Sequence, residues 1–239
     1  MLHYQPNYTV TTTERPNIPN YDADAVKELR KNKYTGIFKG EKIKYTILGA
    51  YSKKQKTPKG EREDLILELM TDKGYLRYKA IGAVVTNDGD IYASSMSALT
   101  NDLLGVLHHE VTNALDGVEI QTKDYDGNAE EQTWYPNIHG FKGNAIATTY
   151  RAWTHNGYSG FTHKIYFFNE KWQSATEVAG GKTDKLNASK AQQTALEEYQ
   201  KFKAECLNEG WNPDEGDIAN ADQQNIYGTA TEQADEIPF

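Results

Sequence analysis

Hydrophobic and polar residues alternate along the middle of the chain, and this alternation predicts strands. Ile43, Tyr45 and Ile47 recur at every second position, which is the period of a half-buried strand. A second strand is predicted over 62–71, where leucines alternate, and a third begins at Tyr75 after a short turn. The basic segment 52–60 is interpreted as the connection between the first two strands. Together these strands predict an antiparallel meander.

Elsewhere the apolar residues follow helical spacing. Helices are predicted over about 22–33, 95–109 and 187–208, and the last has the most continuous apolar stripe. Further strands are predicted over 118–123, 145–154 and 161–168. The last two flank Asn156-Gly157, a dipeptide typical of a tight hairpin turn.

These elements predict a mainly β fold. An OB-fold-like antiparallel β-barrel with one inserted helix, a C-terminal helix and a disordered acidic tail is the leading arrangement, and a β-sandwich or jelly roll would produce a similar pattern. The predicted organisation has four parts. They are an N-terminal arm with a short helix (1–40), the OB-like domain (41–186), the C-terminal helix (187–210) and the tail (211–239).

The net charge of −8 is unevenly distributed along the 239 residues. No Lys or Arg follows Lys203, whereas residues 205–239 contain nine of the 34 acidic residues. Residues 1–204 contain the remaining 25 acidic residues and all 26 Lys and Arg, so their net charge is +1. The body is therefore nearly neutral, and the acidity is typical of an interaction tail.

No motif indicates catalysis or metal binding. The segment His109–Asn113 has Asn where a zinc-protease helix needs its second His, and Gly180–Thr183 lacks the first glycine and the strand of a phosphate-binding loop. We therefore expect a protein that is not an enzyme and that uses no cofactor and no metal.

The sequence favours a soluble protein of the cytoplasm. It contains no run of about 18 apolar residues, and its first ten residues lack the basic start and apolar stretch of a secretory signal. Cys206 is the only cysteine, which excludes an intrachain disulfide and fits a reducing compartment.

Basic and aromatic residues are interleaved on the predicted strands, a combination that suits single-stranded nucleic acid. Cations follow the phosphates, and rings stack on unpaired bases of any sequence. The alternative is that the rings belong to the core and the cations to a solvated surface. The candidate binding residues are Tyr51, Lys53, Lys54, Lys56, Lys59, Arg62, Tyr75, Arg77, Lys79, Arg151, Trp153 and Tyr166.

The acidic tail ends in Asp235-Glu236-Ile237-Pro238-Phe239. A tail that only increased solubility would need no apolar end. A short linear motif would need such an end, because its Phe fills an apolar pocket of the partner and its carboxylates pair with Arg or Lys.

This ending resembles the acidic C-terminal tip of bacterial and bacteriophage single-stranded DNA-binding proteins. The body, over about 43–170, is similar to phage-encoded members in its early basic loop, its strand at Gly74–Tyr78, its helix at 95–109 and its strand pair over 150–168. The resemblance implies a protein that coats single-stranded DNA (ssDNA) during replication, recombination and repair in an infected bacterial host. It also implies that the tip recruits replication or repair proteins.

Two functions remain open from the sequence. The first is sequence-nonspecific ssDNA binding, in which the tail both recruits partners and competes with ssDNA for the basic groove. The second is a protein-interaction or structural adaptor module with a C-terminal docking motif. An oligomer is compatible with either function, and RNA is not distinguished from DNA.

Overall fold

The protein is mainly antiparallel β structure with a few helices. The computed structural model describes the backbone of residues 8–11, 18–123, 129–155 and 158–215, and the side chains of 18–122, 129–151 and 161–215. The strands are β1 (Tyr8–Thr11), β2 (Lys39–Thr57), β3 (Gly60–Thr71), β4 (Gly74–Ala80), β5 (Val84–Val85), β6 (Ile91–Tyr92), β7 (Val118–Lys123), β8 (Ala129–Trp134), β9 (Lys142–His155) and β10 (Tyr158–Asn169). The helices are α1 (Ala23–Leu29), α2 (Ser95–Glu110), α3 (Ala175–Ala179) and α4 (Leu186–Asn208), with 3-10 turns at Arg30–Asn32 and Pro136–Ile138.

The long strand β2 organises the sheet. Its first half pairs with β9 and its second half with β8, while β3 runs antiparallel to most of its length. The hairpin partner of β9 is β10, and β4 and β5 pair with successive parts of β3. Only β1 and β7 are parallel among the described pairs. The predicted meander of β2, β3 and β4 is therefore confirmed.

The predicted mainly β fold is confirmed, but the sheet is open and is not closed into the expected OB-fold-like barrel. Among the described strands, no ladder joins β4 to β10. These two strands instead face each other through the rings of Tyr78 and Phe167, whose centroids are 5.7 Å apart. Helix α2 packs against both strands, and Leu103 and Leu107 enter the same core. Rings and helix thus occupy the place where strand pairing would close a barrel.

Helix α4 packs on β9 and on the start of β2, on the side of the sheet opposite α2. Ala188, Ala191 and Ala195 pack on Ile146 and Phe168, and small side chains allow the helix to approach the sheet closely. The closest approach is at Gly40, where φ is +79° and an added Cβ would lie 2.8 Å from the backbone nitrogen of Leu196. Glycine is therefore required there both by conformation and by space.

The first residues assigned to the tail are packed on the body, contrary to the prediction that the tail starts at 211. The ring of Trp211 stacks on Phe161 with centroids 5.6 Å apart. Asp214 accepts a hydrogen bond from the Tyr199 hydroxyl at 2.6 Å and pairs with Lys39 at 2.8 Å and with Lys203. We call Asp214 with these three partners the Asp214 clamp. Residues 216–239, including the tip, lie outside the described residues.

Three predicted helices are confirmed, with the Asp22 and Ser94 side chains accepting hydrogen bonds from the first turns of α1 and α2. No described helix is both long enough and apolar enough to cross a bilayer.

His163 gives the fold a pH dependence that can be measured. Burial and, to a smaller extent, the charge of Lys33 together lower the pKa of His163 to about 4. Because the folded pKa lies below the ordinary value of about 6.5, the stabilisation by neutral His163 is complete above pH 6.5 and is lost as the pH falls towards 4. We expect the free energy of unfolding to fall more steeply between pH 7 and pH 4 in the wild type than in His163→Gln. Urea titrations at both pH values test this, and equal losses would contradict it.

Candidate nucleic-acid interface

One face of the sheet, which we call the outer face, gathers half of the predicted binding residues. Residues directly opposite each other on paired strands share a face, and the alternate residues point into the core. The register therefore places the side chains of the outer face together, on the side of the sheet that faces away from the core leucines of β3. The outer face consists of Tyr51, Lys53 and Gln55 (β2), Arg62, Asp64, Ile66 and Glu68 (β3), Tyr75, Arg77 and Lys79 (β4), Tyr92 (β6), and Gln132 and Trp134 (β8).

Residues 18–32, which we call the strap, cover part of the outer face. The hydroxyl of Tyr21 donates a 2.6 Å hydrogen bond to Glu68, and Arg30 forms an ion pair with the same carboxylate. The Tyr21 ring packs on Trp134 with centroids 4.7 Å apart. Burial and the neighbouring Glu68 raise the pKa of Tyr21 well above its ordinary value, so its hydroxyl stays protonated and donates. The strap thus shields Glu68, which is 1% exposed.

Burial corrects the stacking role predicted for two tyrosines. Tyr51 is 7% exposed, and its ring stacks on Trp134 at 4.7 Å with an interplanar angle of 23°. Tyr75 is 2% exposed and lies beside Arg30. Neither ring has an open face for a base in this conformation. Tyr51 serves instead as a hydrogen-bond acceptor, because its hydroxyl receives a 2.7 Å bond from Arg77.

Several predicted cations on the outer face are neutralised by carboxylates. Arg62 is buried and donates to both oxygens of Asp64 at 3.0 and 3.1 Å. The Lys79 ammonium lies 3.4 Å from Oδ2 of the same carboxylate, and Lys53 pairs with Glu130 at 3.3 Å. These ion pairs stabilise the sheet, so their cations are poorly placed to attract phosphate. Arg77 differs, since it is exposed and no described carboxylate lies within ion-pair distance.

The end of the β2–β3 hairpin is the most accessible basic part of this region. Segment 52–60 is not a loop as expected, because β2 continues to Thr57 and β3 starts at Gly60. Lys54, Lys56 and Lys59, which we call the hairpin lysines, are exposed. Within the described part of the chain, none of the three has a carboxylate at ion-pair distance. The Lys59 ammonium lies 5.8 Å from the centroid of the Tyr92 ring.

Tyr92 was missed by the sequence analysis. Its side chain is 55% exposed, and Ile91 beside it is 52% exposed, both unusual for large apolar residues. A sequence signal was present: Val84-Val85 and Ile91-Tyr92 flank Asn87-Asp88-Gly89, and Asp-Gly between short apolar runs is typical of a hairpin. The two runs are only two residues long, so their periodicity is weak.

The remaining predicted residues lie elsewhere. Arg151 forms a bidentate ion pair with Glu209, at 2.6 and 2.7 Å, near the end of α4. Tyr166 is half-buried with Lys164 and Glu198, whose carboxylate binds that lysine at 2.6 Å. Neither contacts the outer face through any described interaction. The side chain of Trp153 and the tip residues 235–239 lie outside the described residues.

The described residues contain no group of three or more His, Cys, Asp or Glu side chains placed to hold a metal ion. Comparisons of the chain with protein-family models, with curated proteins and with solved structures give no match.

Proposed function

We propose that the protein binds single-stranded DNA without sequence preference and is not an enzyme. The observation that carries the proposal is the exposed Tyr92 ring beneath Lys59, at the end of a hairpin that also bears Lys54 and Lys56. A ring open to solvent can stack on a base, and cations without carboxylate partners can hold phosphates. Both are needed to bind an unpaired strand, and neither distinguishes one base from another.

The size of the outer face suits a short stretch of nucleic acid. Arg77 lies opposite Glu68 of β3. Tyr92 lies opposite Val84, which in turn lies opposite Arg62 of β3, six residues before Glu68. At about 3.3 Å per residue this spans roughly 20 Å, or about six nucleotides at a stacked rise of about 3.4 Å. A single OB-like module typically covers about 4–16 nucleotides. Arg77 would contact phosphates at one end of this stretch and Lys59 at the other. Lys54 and Lys56 alternate with Lys53 and Gln55 and point to the other side of the hairpin, so the strand would reach them by turning around the hairpin end.

Salt dependence gives the direct test. Four phosphate contacts, from Arg77 and the hairpin lysines, predict a slope of about −2.8 for log K against log salt on a single strand. We therefore expect the affinity for a fluorescein-labelled oligo-dT to fall roughly fiftyfold between 50 and 200 mM NaCl. Fluorescence anisotropy with the full chain measures both values.

A blunt duplex of the same length is the control ligand. The proposal requires weaker binding to the duplex, because stacking on Tyr92 needs unpaired bases. Equal affinity for the two ligands, or no binding to the single strand at 50 mM NaCl, would show that the proposal is wrong.

The tail extends the proposal to partners. Asp235–Phe239 resemble the tip of bacterial and phage ssDNA-binding proteins, so we propose that this segment recruits replication, recombination or repair proteins in the cytoplasm of an infected bacterium. Removing those five residues should abolish recruitment and leave the body's fold unchanged.

One set of observations favours the adaptor alternative. Tyr51 and Tyr75 are buried, and Lys53, Arg62 and Lys79 are paired with acids, as in a face that contributes to stability rather than to nucleic-acid binding. If neither oligo-dT nor oligo-U binds at low salt, this alternative is the better description of the protein.

A further inference from the structure

A second basic and aromatic surface lies at the opposite end of β2. The ammonium of Lys42 lies 5.2 Å from the centroid of the Trp172 ring. Lys44 and Lys142 line an open cavity of about 420 Å³ on the same part of the sheet. We call Lys42, Lys44, Lys142 and Trp172 the second patch. All three lysines are exposed, and none of the four residues is among the binding residues predicted from the sequence.

The charges of the second patch are not balanced within the patch. Asp72 and Glu170 also line the cavity, so the three lysines and these two acids have a net charge of +1. As far as the structure describes the chain, none of the three lysines has a carboxylate at ion-pair distance. A polyanion can therefore approach without first breaking an ion pair.

Trp172 is held in place at an energetic cost. Its φ is +65°, a conformation that bulky residues rarely adopt. Asn169 maintains the turn, because its side-chain oxygen accepts hydrogen bonds from the backbone N–H groups of Lys171 and Gln173, both at 2.9 Å. The indole also contacts Phe168, with centroids 6.0 Å apart. The turn thus fixes a large aromatic ring beside Lys42.

The two ends of β2 resemble each other. Each has a lysine over an aromatic ring, Lys59 with Tyr92 at one end and Lys42 with Trp172 at the other. Lys42 and Lys44 alternate with the core residues Ile43 and Tyr45, so they belong to the same side of β2 as the outer face. One extra residue at the irregularity between Ile47 and Gly49 shifts the alternation by one position. Lys42 and Lys44 therefore lie on the same side of β2 as Tyr51 and Lys53.

We propose that the second patch is an additional binding site for the phosphates and bases of the same single strand. This inference rests on the proposed ssDNA binding. Lys42 and Gln55 lie on the same side of β2 and are thirteen residues apart. Without the extra residue of the bulge this is about 40 Å, or roughly twelve stacked nucleotides. Between them the strap covers Gly49 with the Tyr21 ring. A strand of about 20 nucleotides therefore reaches both sites by passing over the strap, whereas a six-nucleotide strand reaches only one.

The test compares two oligonucleotide lengths. The variant Lys42→Ala/Lys44→Ala/Lys142→Ala should bind dT20 at least tenfold more weakly than wild type and reduce the salt slope by about 2, since three single-strand contacts are removed. Its affinity for dT6 should change less than twofold. The control variant Lys33→Ala/Lys190→Ala/Lys201→Ala removes the same charge from exposed lysines outside the second patch. It should weaken dT20 binding less than threefold.

The outcomes separate this inference from the function on which it rests. If wild type binds both oligonucleotides and the patch variant binds dT20 as wild type does, the second site is refuted while ssDNA binding stands. Equal losses of dT20 affinity in the patch variant and the control variant also refute the second site, because the affinity would then depend only on net charge. If wild type binds neither oligonucleotide, both proposals fail. Quenching of Trp fluorescence by dT20 that is reduced in Trp172→Leu would support stacking on that indole.

Discussion

Replacing Asp64 by alanine is expected to lower the free energy of unfolding by about 3–5 kcal/mol, because it removes the buried carboxylate that pairs with Arg62. Asp64 is fully buried, and Arg62 is 8% exposed. The carboxylate accepts two hydrogen bonds from Arg62 and one from the backbone N–H of Gly82 at 3.1 Å. In the variant, the Arg62 guanidinium has to be hydrated or moved, and the Gly82 N–H loses its acceptor. Urea unfolding followed by Trp fluorescence measures the change.

The double variant Arg62→Met/Asp64→Leu serves as the control. Replacing a buried ion pair by apolar residues of similar volume is often neutral, so we expect it to be clearly more stable than Asp64→Ala. A loss below 1 kcal/mol in Asp64→Ala, or an equal loss in both variants, would contradict a structural role for the pair. Retained stability in the double variant would also show that folding does not require the charge of Arg62.

Replacing Tyr92 by alanine is expected to weaken ssDNA binding by roughly 5- to 150-fold, which corresponds to about 1–3 kcal/mol for one base stack. The ring is 55% exposed, so the substitution should change the free energy of unfolding by only about 0.5 kcal/mol. Titration of labelled dT6 and dT20 against the folded variant gives the binding change directly.

The variant Tyr92→Phe separates stacking from hydrogen bonding. It keeps the ring and the contact with Lys59, so its affinity should stay within about twofold of wild type. The variant Tyr75→Phe is the matched comparison on a buried ring. If Tyr92→Ala binds as wild type does, the hairpin end is not the stacking platform, whatever the origin of the remaining affinity.

Strand and helix positions followed from local patterns. The two-residue alternation at Ile43–Ile47 and the helical spacing around Leu103 are set by which side of each element meets the core, and that information is local. Whether the sheet closes into a barrel did not follow, because closure depends on whether β4 can reach β10. Tyr78, Phe167 and α2 fill that space, and no short sequence pattern records it.

The candidate site was predicted less well than the fold for a related reason. Alternation correctly placed Tyr75, Arg77 and Lys79 on one face, but it cannot show that the strap covers that face. Tyr75 and Tyr92 are both tyrosines on strands next to cations. They differ in burial, 2% against 55% exposed, and only the position of residues 18–32 and the edge position of β6 explain the difference.

The Asp214 clamp affects how the tail must be removed in any experiment. A chain shortened after Gly210 would lack Trp211 and Asp214, exposing the Phe161 ring and releasing Lys39 and Lys203 from their shared carboxylate. Lys39 lies at the start of β2, three residues from Lys42. Such a truncation would therefore add positive charge to the body itself, and tighter ssDNA binding could not be attributed to loss of a competing polyanion. Shortening after Glu215 keeps Trp211 and Asp214, so it separates the contribution of the tail from that of the clamp.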